Sequence, residues 1–172
     1  MVNLVCPVCK NPLVNNKVTL SCNSCNQSYP IIVGIPTFIN LQQFEDEEKQ
    51  YRKPTFQKEK PHIRELNFNI RYSPTEILIK RSFRNKSGLD IGVGSGINEN
   101  FQHIYNKVSK DIIGVDVSFS GAKKFKKNYP DCPIVLAKNL PFSDRVFDFI
   151  TASGLIHHLI GQPKKNIIPS FI

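Results

Sequence analysis

Residues 88–96 read Gly-Leu-Asp-Ile-Gly-Val-Gly-Ser-Gly, and no other stretch of the chain restricts its fold so tightly. Leu89 and Ile91 flank Asp90 in a short apolar run that reads as a buried strand. Three glycines at alternate positions follow, Gly92, Gly94 and Gly96, and then Ile97, Phe101, Ile104, Tyr105 and Val108 fall at helical spacing. Glycine lets backbone approach backbone, or a ligand, where a Cβ would collide. A strand, a tight turn and a helix in that order predict a parallel α/β sheet. Such sheets bind ligands beyond the carboxyl ends of their strands.

Two common nucleotide loops are excluded. The dinucleotide fingerprint places its last glycine at the sixth position, where this chain has Ile97; this also disfavours a nicotinamide-dependent oxidoreductase. The phosphate loop needs Lys and then Ser or Thr after its last glycine, where Ile97 and Asn98 stand. The remaining acidic-x-Gly-x-Gly-x-Gly run resembles motif I of the class I S-adenosylmethionine (SAM) methyltransferases. That resemblance implies that Asp90 supports the loop and that Gly92, Gly94 and Gly96 lie against the methionine and ribose parts of SAM.

Later segments extend the pattern. Ile112-Ile-Gly-Val-Asp116 is a second strand ending in an acid, placed to accept ribose hydroxyls. The competing role is local: Asp116 or Ser118 caps a helix from Phe119 to Tyr129, with Lys123, Lys124, Lys126 and Lys127 on its wet face. Pro133–Leu136 reads as a third strand and Val146–Ile150 as a fourth. Leu140-Pro141-Phe142, with Phe147-Asp148 soon after, resembles small SAM methyltransferases. That family has an acidic residue four positions before this Leu, bonding the adenine amino group, whereas Leu136 stands here. Adenine recognition is then expected from apolar contacts and backbone near Asn139 and Leu140. Ser153-Gly-Leu-Ile-His-His-Leu159 matches the family's run after the fourth strand. His157 or His158 is a candidate base or orienting group, against the plainer role of a polar helix start.

The N-terminal forty residues are a different object. Cys6-Pro-Val-Cys9 and Cys22-Asn-Ser-Cys25 are two C-x-x-C pairs with twelve residues between them. Zinc takes four soft ligands tetrahedrally, and the two-residue gap lets two thiolates converge on one ion. A redox pair or two disulfides are the alternative, but two copies in so short a span fit structural zinc better. Asn11, Pro12, Asn15 and Asn16 suit a turn, and Val18, Leu20, Tyr29, Ile31 and Val33 read as short strands, giving a zinc ribbon. Four protein ligands leave no open position, so the metal holds the fold. With Gly34-Ile35-Pro36 beyond it, the ribbon resembles those ahead of rRNA guanine methyltransferases and the free-standing activator of tRNA and protein methyltransferases. Cys132 lies outside both pairs and is expected to be inert.

The fold expected is therefore α/β: a zinc ribbon over residues 1–40, a charged linker and helical approach over 41–72, and a Rossmann-like SAM methyltransferase sheet over 73–172. Tyr72, in the approach, is placed to pack or to touch SAM. Ser73-Pro-Thr-Glu76 is a capping box that starts a helix running from about Pro74 to Arg84. Only about four of the family's seven strands are present, so the chain is expected to be incomplete or completed by a partner at the edge of strand four. No apolar run approaches the ~20 residues a membrane helix needs, and the start lacks a signal peptide, so a cytoplasmic address is expected. With 23 Lys and Arg against 14 Asp and Glu, the formal charge is +9, which leans toward an RNA acceptor over a small metabolite. A catalytically incomplete binding or regulatory protein is the alternative to an enzyme.

Overall fold

A computed structural model describes residues 3–40, 74–96, 109 and 111–152. The ribbon holds four antiparallel strands in the order β1 (Val14–Asn15), β2 (Thr19–Ser21), β3 (Ser28–Ile32) and β4 (Ile35–Pro36). Asn16 builds the first turn: its Oδ1 accepts from Thr19 N at 2.7 Å and Thr19 Oγ1 at 2.8 Å. Val33 does not extend β3 as its apolar character suggests. Val33 and Gly34, at φ +52° and +71°, form the two-residue turn into β4.

After helix α1 (Pro74–Phe83) comes a parallel sheet of β5 (Ser87–Ile91), β6 (Asp111–Asp116), β7 (Ile134–Leu136) and β8 (Phe149–Thr151), ordered β7-β6-β5-β8. Helix α2 (Phe119–Asn128) joins β6 to β7. One face buries Val93, Ile112, Ala122, Phe125, Ile134 and Leu136; the other buries Leu89, Ile91, Ile113, Val115, Val135 and Phe142. Strands covered on both faces read as continuous apolar runs, which is why they were legible.

The fourth strand starts three residues later than its apolar run suggests. Asp148 fixes its start: its N–H donates to Ser87 O at 3.0 Å, and its Oδ2 accepts from Ser87 N at 2.8 Å and Oγ at 2.9 Å. The two bonds that Oδ2 accepts from Ser87 hold the carboxyl below the usual Asp range. Val146 and Phe147 instead fold under the preceding loop, Phe147 meeting Phe142 edge-on at 5.0 Å. Among the described residues β8 ends the sheet, with Ile150 48% exposed.

The other edge is covered by the ribbon. Thr37 forms a parallel bridge with Leu136, and Phe38 N–H donates to Leu136 O at 2.7 Å. Successive residues then straddle the edge strand. Ile35 enters the core on the α2 face, while Leu4 and Phe38 pack on the opposite face. Leu4 and Phe38 also belong to the ribbon's own core around Cys6, Leu20, Cys22 and Tyr29, so the two cores are continuous. Burying a side chain the size of Ile35 contributes about 1.5–3 kcal/mol. Lys126 departs from the wet-face expectation: its stem lies against Gly34 at the ribbon tip.

Candidate functional sites

The four predicted cysteines meet. Their sulfurs lie within 4.8 Å of one another, with Cys9–Cys22 at 3.4 Å and Cys6–Cys25 and Cys9–Cys25 at 3.6 Å. A tetrahedral zinc thiolate site has S···S edges of about 3.8 Å, from Zn–S bonds of about 2.3 Å. None of the four is in a disulfide. The arrangement is therefore a zinc-binding one, closed by four protein ligands. Tyr29, which the sequence marked only as a strand residue, has its hydroxyl 3.3 Å from Cys6 Sγ. Burial pushes that phenol's pKa up, and Cys6 beside it adds to the rise, so it stays a donor to the thiolate.

The second site lies at the carboxyl ends of β5 and β6. The glycine loop turns back on Val115, whose carbonyl accepts from Gly92 N at 2.8 Å. Gly94 has φ +58°, and a Cβ built on it would meet nothing within 4 Å among the described residues. Asp116 closes the loop: Oδ2 accepts from Gly94 N at 2.6 Å and Oδ1 from Ser118 N at 2.6 Å. Capping belongs to Ser118, whose Oγ accepts from Gly121 N at 3.1 Å. Asp116 thus ties the loop to the start of α2 and retains lone pairs for a further donor. Burial raises its pKa, opposed by the N–H bonds from Ser118 and Gly94.

Asp90 is 1% exposed. Its Oδ1 accepts from Thr151 Oγ1 at 2.9 Å, while Oδ2 is buried with no hydrogen-bond partner among the described residues. Burial pushes the carboxyl up to about 6; the Thr151 bond opposes this and the charge of Asp116 adds to it. A buried bare carboxylate oxygen is costly unless a donor or cation arrives. Open space at Gly94 and two buried carboxylates, one of them with an oxygen that has no partner among the described residues, suit a cationic ligand with hydroxyl groups.

The loop after β7 is held by the ribbon. Val5 N donates to Pro141 O at 2.9 Å, and Lys10 Nζ to Leu140 O at 2.9 Å. Asn139 is exposed and Leu140 half-buried. Leu136, where the resembled family carries an acid, is fully buried against Ile35. A cavity of about 370 Å³ lies at this loop, lined in part by Lys10, Phe142, Arg145 and Ile150; Gly94 does not line it. His157, His158, Tyr72, Ser73, the linker and the helix after the glycine loop lie outside the described residues. Thr151, Tyr29 and Lys10 were missed because isolated residues carry no spacing signal.

Residues 89–168 match the profile of the methyltransferase domain family, and residues 4–34 match Trm112p-like protein. The chain carries a methyltransferase domain behind a Trm112p-like domain. No curated protein matches the sequence. Among solved structures it is similar to the YcgJ protein from Bacillus subtilis, at 25% identity and TM-score 0.41 over 48% of this chain and 38% of that one. A TehB-like SAM-dependent methyltransferase from Corynebacterium glutamicum matches at 18% identity and TM-score 0.42, over 72% and 61% of the two chains. PKMT2 from Rickettsia typhi, in complex with AdoHcy, matches at 28% and 0.33, over 47% and 18%. The chain spans less than two thirds of each of these structures. No helix among the described residues is long and apolar enough to cross a membrane.

Proposed function

We propose that this chain is a SAM-dependent methyltransferase, its cofactor held by Asp90, the Gly92–Gly96 loop and Asp116. The observation that carries this reading is the buried Oδ2 of Asp90, without a partner among the described residues, at the start of a glycine loop whose Gly94 faces space empty among those residues. SAM supplies a methyl group activated by a sulfonium, so the protein's task is alignment and exclusion of water. Asp90 and Asp116 contribute negative charge where a cationic ligand sits, and Asp116 has acceptor capacity for ribose hydroxyls. Asn139 and Leu140 supply the adenine end. The acceptor is an RNA base or a small metabolite, and the net charge of +9 favours RNA. His157 or His158 is the candidate to orient it or take a proton. The zinc ribbon is structural.

One observation supports the second reading, a non-catalytic binding protein: Leu136, at the position where the resembled family carries the adenine-binding acid, is committed to the core. Calorimetric titration with SAM separates the two. Heat of binding with a stoichiometry near one supports the enzyme, to be followed by transfer of labelled methyl to total RNA or a metabolite extract. No binding by the folded, zinc-loaded chain sinks it.

A further inference from the structure

Thr151 sits on β8, beside Asp90 in the parallel register. Its hydroxyl lies 2.9 Å from Asp90 Oδ1 and 3.3 Å from Leu89 O. A hydroxyl has one proton and two acceptor lone pairs, so it cannot donate to both at once. Each charge state of the carboxyl selects one arrangement. When Asp90 is ionised, the proton of Thr151 goes to Oδ1, the shorter and charge-assisted bond. When Asp90 is protonated on Oδ1, that proton is donated to Thr151 Oγ1, and the hydroxyl's own proton turns to Leu89 O. The carboxyl keeps one orientation in both, with Oδ2 left without a hydrogen-bond partner among the described residues.

We propose that Thr151 is a positioning residue of the cofactor site, holding Asp90 by Oδ1 so that the carboxylate keeps one orientation and its negative charge stays behind the glycine loop, where the positive charge of the cofactor is proposed to lie. This rests on the methyltransferase reading. Of the charged groups on the flanking strands, Asp116 acts on Asp90 directly. Asp111 and Asp148 lie at the other end, level with Ser87 and about 10 Å away along the strand.

The test measures SAM affinity by calorimetry between pH 5 and 8 for the wild type, T151V, T151A and T151S. Carboxyl NMR titration of Asp90 in the cofactor-free proteins runs alongside, the signal assigned with D90N. Losing a hydrogen bond to the ionised form moves the Asp90 midpoint up by about one pH unit. From a wild-type value of about 6, this makes T151V about fivefold weaker at pH 6 and within twofold of wild type at pH 8. T151S, which keeps the hydroxyl, follows the wild-type profile. A residue that only packs would weaken binding equally at every pH, and Ser would not restore it. T151A makes the same comparison should the larger Val side chain disturb β8. Binding by the wild type with an unmoved midpoint in both hydroxyl-free variants overturns the inference alone. No binding by the wild type brings down the reading beneath it as well.

Discussion

Alanine at Gly94 and at Gly96 should damage this protein in opposite ways. The two residues have similar backbones, φ +58° and +72°. An L-residue there costs about 1–2 kcal/mol, which for a chain of this size lowers Tm by about 2–8 °C. At Gly96 a Cβ would also come within 2.6 Å of Tyr129 Cε2 and 2.8 Å of Phe125 Cδ2, with Phe125 fully buried. Overpacking of that kind adds about 1–3 kcal/mol. At Gly94 the Cβ enters space empty among the described residues, where the cofactor is proposed to lie. G96A should therefore be the less stable variant without ligand, and G94A the one that stops responding to ligand. Thermal unfolding with and without SAM reads both. At a hundred times Kd, bound ligand stabilises the wild type by about 2.7 kcal/mol, a shift of roughly 5–11 °C. G94A should lose that shift while unfolding only a few degrees low. A full ligand shift in G94A would refute the cradle, and a G96A more stable than G94A would refute the packing argument.

Gly88→Ala should cost about 3 kcal/mol or more in urea unfolding, because its Cβ would lie 2.1 Å from Phe149 Cζ, a ring stacked on Phe83 at 3.9 Å; a near-neutral result contradicts this. Asp90 binds its proton more tightly folded, at about 6, than unfolded, at about 3.9, so stability present at low pH is lost as pH rises through 6. D90N should therefore unfold at a higher temperature than the wild type above pH 6, with the gap closing near pH 4. An offset independent of pH would show that burial is not the cause. Chelating the zinc should unfold the ribbon and, in hydrogen exchange, strip protection from Phe38 and from residues 134–140 together. Protection retained over 134–140 would mean the ribbon does not hold that edge.

What could be read in advance was what repeats or alternates. The C-x-x-C pairs, the spaced glycines and the apolar runs each leave a periodic mark, and the structure keeps the cysteine pairs, the glycine loop and the runs of β5, β6 and β7. Pairwise fits across the sheet leave none. Asp148 was legible as part of a Phe-Asp motif, but not as the clamp on Ser87 that moves the start of β8. Thr151 is an unremarkable strand residue until parallel pairing sets it against Asp90. Val33 belongs to a strand by composition and to a turn by its neighbour Gly34, and the turn prevails because β4 must fold back. The docking of the ribbon on β7 was hidden for the same reason: Thr37 and Leu136 are far apart in sequence and match no motif together.

That separation has a consequence for how the protein is made. The ribbon leaves the ribosome first, and its edge partner in β7 follows about a hundred residues later, roughly 5–20 s at ordinary synthesis rates. By then a zinc-loaded ribbon is already folded and tethered to the same chain. The nascent β7 meets its cover at high effective concentration, before a strand from another chain can reach it. Supplying zinc late in synthesis, and not only removing it afterwards, should therefore lower the soluble yield.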